Sequence, residues 1–238
     1  MKLLKIMQML PFYANKGKRL DRRVDGVTYL RYPVKTHVVS ENDVLEEIVS
    51  QYVSPFLEKG DIVGLSERCV AITQGRSYLI KDIHPSRWAQ FLSKFVTRRA
   101  GGIGLGSPWT MELALREVGL FRILLASAVA ALTRPFGLKG IFYTIAGGDI
   151  NAIDGPCSYS LPPGDKSAKL GPKDPMGVTR RLAQKFHVPI VIVDANDFGV
   201  RVMGYSPGIM PSHIEKIFTD NPLGQSTEQT PIALIRKK

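Results

Sequence analysis

The sequence predicts an α+β fold of mixed sheets with packed helices, and three features carry that prediction. Blocks with helical spacing of apolar residues are separate from apolar runs of strand length. The two kinds of element follow one another without the regular βαβ spacing of a doubly wound parallel sheet. Hydrophobic residues make up 44% and charged residues 22% of the 238 positions. That composition excludes a disordered, collagenous or coiled-coil chain, and the length suffices to bury a full core, with roughly 70% of the unfolded surface removed from water.

Residues 1–26 form a basic N-terminal segment, and 27–238 read as one domain. Val27 to Val39 has alternating and β-branched residues interrupted by Pro33, which predicts an extended strand. Ser40, with Asp43 three residues on, is expected to cap a helix whose apolar face is Val44, Leu45, Ile48, Val49, Tyr52 and Val53. Pro55 and Gly60 end it. Two short strands follow at Asp61 to Leu65 and Cys69 to Thr73, then a turn at Gln74-Gly75-Arg76. Trp88, Phe91, Leu92 and Phe95 give helical spacing to Pro85 through Arg99. The glycine run 101–106 precedes Ser107-Pro108, which opens a long helix through Leu132. Ile141 to Ile145 reads as a strand running into the turn Ala146-Gly147-Gly148-Asp149. Residues 162–175 lack periodicity and are long enough to be a functional loop. A helix from Pro175 to Phe186, a buried strand from Val188 to Val193 and a strand from Pro231 to Ile235 complete the chain.

The formal net charge is +11. Residues 1–23 hold seven Lys and Arg against one Asp, and Arg236, Lys237 and Lys238 add three more, which leaves +2 for everything between. The ends are basic and the body is nearly neutral, so nucleic acid is not the expected partner. Two cysteines, Cys69 and Cys157, cannot build a disulfide framework or a four-thiolate zinc site, and both read as reduced thiols. Lys5 interrupts the apolar start and no small-residue cleavage site follows it. The longest apolar stretch, Ile123 to Leu132, is about half the ~20 residues a spanning helix needs and reads as a buried helix. A cytoplasmic protein with no membrane partner is expected.

Two constellations bear chemistry. Asp149-Ile150-Asn151-Ala152-Ile153-Asp154-Gly155 follows the strand at 141–145, and Asp194-Ala195-Asn196-Asp197 follows the strand at 188–193. Each is expected to place carboxylates and an amide at the end of an apolar strand. Magnesium takes one or two carboxylates together with water and substrate phosphates, so two such turns meeting would hold Mg2+ or Mn2+. Asp and Asn are also ordinary turn formers that bond their own backbone, and the residues alone leave both readings open. The glycine run 101–106 lacks a dinucleotide or P-loop signature and reads as a hinge. His37, His84, His187 and His213 have no zinc-ligand spacing.

An ordered series of motifs resembles a known family. Pro33-Val34-Lys35-Thr36-His37 precedes the capped helix, followed by Gly60-Asp61, Ser66-Glu67-Arg68 and Gln74-Gly75-Arg76. Ala146-Gly147-Gly148-Asp149, Asp194 to Gly199, Gly224-Gln225 and Pro231-Ile232 complete it. From about Tyr32 onward the chain resembles the gamma-glutamyl ligases of the deazaflavin coenzyme F-420 (coenzyme F-420-0:L-glutamate ligases). The resemblance implies an α+β fold, an intertwined homodimer, divalent metal, and nucleotide hydrolysis (GTP, or ATP) coupled to amide formation between an acceptor carboxylate and L-glutamate. A carboxylate is a poor acyl donor, so the nucleotide would activate it as an acyl phosphate, and the protein needs no nucleophile of its own.

Carried over by position, Asp149 would be a metal ligand, and Asp194, Asn196 and Asp197 cover the family's second metal pair. Pro33, Val34 and Lys35 stand in the early nucleotide-binding loop. Ser66, Glu67 and Arg68 stand where the family has Thr-Gln-Lys, Asn151 is one residue from its nucleotide-contacting asparagine, and Gln225 falls in the C-terminal closing loop. Ile72 occupies the place of a second family lysine, which removes a phosphate partner. The alternative reading is a non-catalytic nucleotide- or metabolite-binding protein on the same scaffold. A nucleic-acid binder acting through residues 1–23 ranks last.

Overall fold

The computed structural model describes residues 12–96, 104–138, 140–196 and 199–238. It is an α+β structure in which the chain divides into two compact units. The first comprises residues 1–39, 43–66 and 174–238, and the second comprises 40–42 and 67–173.

The first unit is built on a six-stranded sheet of β1 (Asp21–Val24), β2 (Val27–Val34), β3 (Ile62–Ser66), β6 (Ile190–Asn196), β7 (Gly199–Tyr205) and β8 (Ile232–Lys237). Their order in space is β1-β2-β8-β3-β6-β7. Only β3 and β6 run parallel; the other neighbours are antiparallel. The strand β1 lies within the basic N-terminal segment and is joined to β2 by Asp25-Gly26, both at positive φ. Asp-Gly between two extended runs is the two-residue hairpin signal that identifies it. Pro33 sits in β2 opposite Ala233 of β8. The pairing with β1 stops at Leu30, so Pro33 has a strand on one side only, where a proline is tolerated. Among the described residues, three helices belong to this unit: α1 (Leu45–Tyr52), α7 (Pro175–Phe186) and α8 (Pro211–Phe218). Val191 and Val193 pack with Ile214, Ile217 and Phe218 of α8. Ile190 and Ile192, which alternate to the opposite face, are equally buried, so β6 is covered on both sides and needs no polar alternation.

Buried ion pairs fix this sheet. Arg31 of β2 is fully buried and donates to the Ile217 carbonyl at the end of α8 (2.9 Å), to both Asp220 carboxylate oxygens, and to the carbonyl of Arg19. A cation at a helix C-terminus also meets the negative end of its dipole. Burial alone would raise the Asp220 carboxyl, but the hydrogen bond and charge of Arg31 outweigh it and hold the carboxyl below its ordinary value. On β8, Arg236 makes a bidentate pair with buried Asp61 (2.8 and 2.8 Å) and a further pair with Glu58 (2.7 Å). The hydrogen bond to Asp61 leads the causes that raise the guanidinium's pKa.

Among the described residues, the second unit holds a two-stranded antiparallel sheet, β4 (Ser77–Leu79) with β5 (Ser167–Lys169), and five helices: α2 (Glu67–Thr73), α3 (Arg87–Leu92), α4 (Pro108–Val118), α5 (Leu120–Thr133) and α6 (Ile141–Ala146). Its core joins Ile83, Leu92, Leu105, Met111, Leu113, Ile123, Ile150 and Leu170.

Several expectations are corrected here. Cys69 to Thr73 is helical, as α2, and Ile141 to Ile145 is helical, as α6. Apolar runs of five residues have no period that separates strand from helix, and packing decides. The long helix expected from Ser107 to Leu132 is two helices, because Gly119 adopts φ 84 and ψ 152 between α4 and α5. The α1 helix begins at Leu45 and is not capped by Ser40; Asp43 instead accepts from the His37 ring (2.9 Å). The structureless loop at 162–175 contains β5. The helix at 123–132 buries only Ile123 and Ala126 and is otherwise largely exposed. The expected helix end at Arg99 and the first half of the glycine run, 101–103, lie outside the described residues.

Replacing Arg31 with alanine takes the bidentate partner from Asp220 and the donor from the Ile217 and Arg19 carbonyls, and should destabilise the first unit by about 3–5 kcal/mol in denaturant unfolding. Because Asp220 is depressed when folded, its contribution is complete above about pH 3.9 and is lost as pH falls through the lower folded value. Asp220→Asn should therefore flatten the acid side of a stability-versus-pH curve.

Candidate functional site

Strand pairing gathers part of the expected site at one end of the first unit's sheet. Val34 pairs with Ile232, Ile232 with Leu65, and Ser66 with Val193. Since β8 is antiparallel to both β2 and β3, and β3 is parallel to β6, the C-terminal ends of β2, β3 and β6 share an edge with the N-terminal end of β8. Lys35 therefore follows β2, Ser66 ends β3 and Asp194 lies in β6 one position beyond the partner of Ser66, all toward that edge. Lys35 is exposed, whereas Pro33 and Val34 are buried sheet positions with only backbone to offer.

The second acidic segment is not a turn after the strand. Asp194 and Asn196 continue β6 and pair with Arg201 and Gly199 of β7. Two positions apart, they share a face, and the Asn196 amide oxygen accepts from the Gly199 N–H (3.1 Å). Asp197 lies outside the described residues. Gln225 is half-buried in the loop between α8 and β8. That loop is held by Asn15, whose amide donates to the Pro222 carbonyl (2.9 Å) and the Thr230 hydroxyl (2.8 Å), and by Asn221, which donates to the Gly224 carbonyl (2.9 Å).

The remaining expected residues belong to the second unit. Glu67 and Arg68 open α2. Glu67 is buried against Lys169 of β5 at 2.5 Å, and the Lys169 ammonium also donates to the Ala152 carbonyl (3.1 Å). Arg68 is partly exposed and donates to Asp154 (2.7 Å), whose other oxygen accepts from the Gly155 N–H (3.1 Å). Asp154 and Lys169 exchange backbone hydrogen bonds (3.0 and 2.9 Å). Asp149 is half-buried after α6, which replaces the strand expected to present it, and Asn151 is exposed on the same loop. The loop is packed against Gly171: a Cβ there would lie 2.9 Å from the Ala152 methyl and 3.1 Å from the Asp149 Cβ, so no larger residue fits. Among the described residues, no three His, Cys, Asp or Glu side chains converge as a metal cage.

Lys169 was not among the residues expected to form the site, and Asp154 was expected only as part of the acidic turn. Both lie in segments marked as functional, the acidic turn and the 162–175 loop, but pairing across 102 positions leaves no local signal for Lys169 and Glu67.

The sequence matches the family model described as F420-0:Gamma-glutamyl ligase over residues 33–234. The chain belongs to the F420-0:gamma-glutamyl ligase family. The match spans both units and begins at Pro33, in the strand whose end supplies Lys35. Membership makes this a ligase of the gamma-glutamyl type acting on small-molecule substrates. No curated protein matches the chain. Among the described residues, no helix is long and apolar enough to cross a membrane.

Removing one charge of the buried Glu67–Lys169 pair strands the other. Lys169→Met should cost about 3–5 kcal/mol in denaturant unfolding, while Lys169→Met combined with Glu67→Leu should recover most of that loss.

Proposed function

We propose that this chain is a nucleotide- and metal-dependent amide ligase that adds L-glutamate, or another amino acid, to a carboxylate-bearing acceptor such as coenzyme F-420-0. The observation that supports the reading best is the end of the sheet toward which Lys35 after β2, Ser66 at the end of β3 and Asp194 late in β6 all lie. In this reading a carboxylate oxygen of the acceptor attacks the γ-phosphorus of GTP or ATP, the bond to the bridging oxygen breaks, and nucleoside diphosphate leaves. The glutamate amine, having given up a proton, then attacks the acyl carbon; the C–N bond forms and phosphate departs.

The chain's own groups act by position and charge. Lys35 and Arg68 are the cations offered to phosphate. Ser66 adds a hydroxyl, Asn151 and Gln225 add amides, and Pro33 and Val34 contribute backbone. The Glu67 carboxylate, held by Lys169, sets the start of α2 and so the place of Arg68. Asp149, Asp194 and Asn196, with Asp197, offer only hard oxygen donors. That donor set suits Mg2+ or Mn2+ held mainly by nucleotide phosphates and water. When bound, the cation would neutralise phosphate charge. The assembly in this reading is a homodimer.

Phosphate release should require an acceptor and glutamate together; nucleotide binding without turnover would favour the non-catalytic reading. Nucleotide at 100 times its Kd with Mg2+ should stabilise the protein by about 2.7 kcal/mol, a shift of several degrees in Tm. Asp149→Ala and Asp194→Ala should each abolish the metal-dependent part of that shift, and a retained shift removes the substituted residue from the assignment.

A further inference from the structure

The helix α5 presents an apolar stripe to solvent. Phe121, Leu125, Ala128 and Leu132 recur at intervals of four, three and four, so they share one face, and Phe136 and Leu138 follow just beyond the helix. Phe121 is 81%, Leu132 72% and Phe136 80% exposed. The opposite face, with Ile123 and Ala126, fills the core. Exposed Arg122 and Arg134 lie at the two ends of the stripe. A second stripe of the same unit, Trp88, Phe91 and Phe95 of α3 and the turn after it, is accompanied by Arg87 and Lys94. None of these four cations is held in an ion pair among the described residues. Between Asp82 and Asp149 the sequence carries eight Lys and Arg against two Glu, and both Glu are already paired, with Arg116 and Arg76. The near-neutral body of the chain thus hides a strongly cationic segment.

We propose that the α5 face docks this protein onto an anionic bilayer surface. Large apolar side chains flanked by unpaired arginines match the acyl boundary and the phosphate headgroups above it. A helix of 14 residues, about 21 Å long, lies on such a surface and does not span it. A second copy fits this face less well, because it would bring the same excess of positive charge against it, so the homodimer of the proposed function pairs through other surfaces.

The test is flotation of the full-length protein with vesicles of phosphatidylcholine alone and of phosphatidylcholine with one quarter phosphatidylglycerol, alongside its mass in solution. The wild type should float with the anionic vesicles at low salt and far less with the neutral ones. Phe121→Ser with Leu132→Ser, which changes no charge and touches only exposed positions, should weaken binding at least tenfold with Tm unchanged. Arg122→Gln with Arg134→Gln should weaken it and reduce its salt dependence. Absence of wild-type flotation, or equal flotation with both vesicles, overturns the proposal. So does binding kept by the double serine variant, in particular if Lys2→Gln with Lys5→Gln abolishes it. A dimer dispersed by the serine variant without any vesicle binding would assign the face to a second copy and equally overturn it.

Discussion

The strand β8 is the constraint on which the first unit depends. Although last in the sequence, it lies between β2 and β3 and hydrogen-bonds to both. Without it the sheet has two separate pieces, β1-β2 and β3-β6-β7. Its direction matters as much as its position. Antiparallel to both neighbours, it turns their C-terminal ends toward its own beginning, and the parallel β3–β6 pair adds Asp194 to the same edge. The candidate site in this unit follows from hydrogen-bond register.

Buried charge does comparable work in both units. Arg31 with Asp220, Arg236 with Asp61, and Lys169 with Glu67 each join residues more than 100 positions apart. Such pairs return little net stability against their apolar replacements, because desolvating each ion is costly. Their value lies in geometry, since an ion buried out of register has nowhere to go. Arg236 thus locks β8 against the start of β3, and Lys169 locks β5 against the turn that bears Arg68.

The fold class, the helix from Pro175 to Phe186 and the cores of β2, β3, β6 and β8 were legible because their patterns are long or strongly apolar. The misread elements were short. In α2 and α6, runs rich in Val, Ile and Thr suggest strands, and tertiary packing overrides that weak preference. At Gly119 a single residue divides what periodicity alone would continue. The acidic residues of both constellations were found by type, while their setting was not: Asp194 extends a hairpin strand, and Asp149 follows a helix. Partners such as Lys169 and Asp154 owe their role to pairing across the fold, which no local pattern encodes.

The second unit is nested within the first, inserted between Ser66 and Asp174 apart from a three-residue excursion at 40–42. Synthesis proceeds from the N-terminus, so almost all of the inserted unit has emerged before β6, β7 and β8 exist. During that interval β3 lacks both of its eventual neighbours, and β2 has only β1. Residues 12–66 must wait, with unpaired strand edges, while more than one hundred residues are made. A nascent chain of this layout is most exposed to misassociation midway through translation, and its demand on chaperones is set by the position of the insertion rather than by the final stability of either unit.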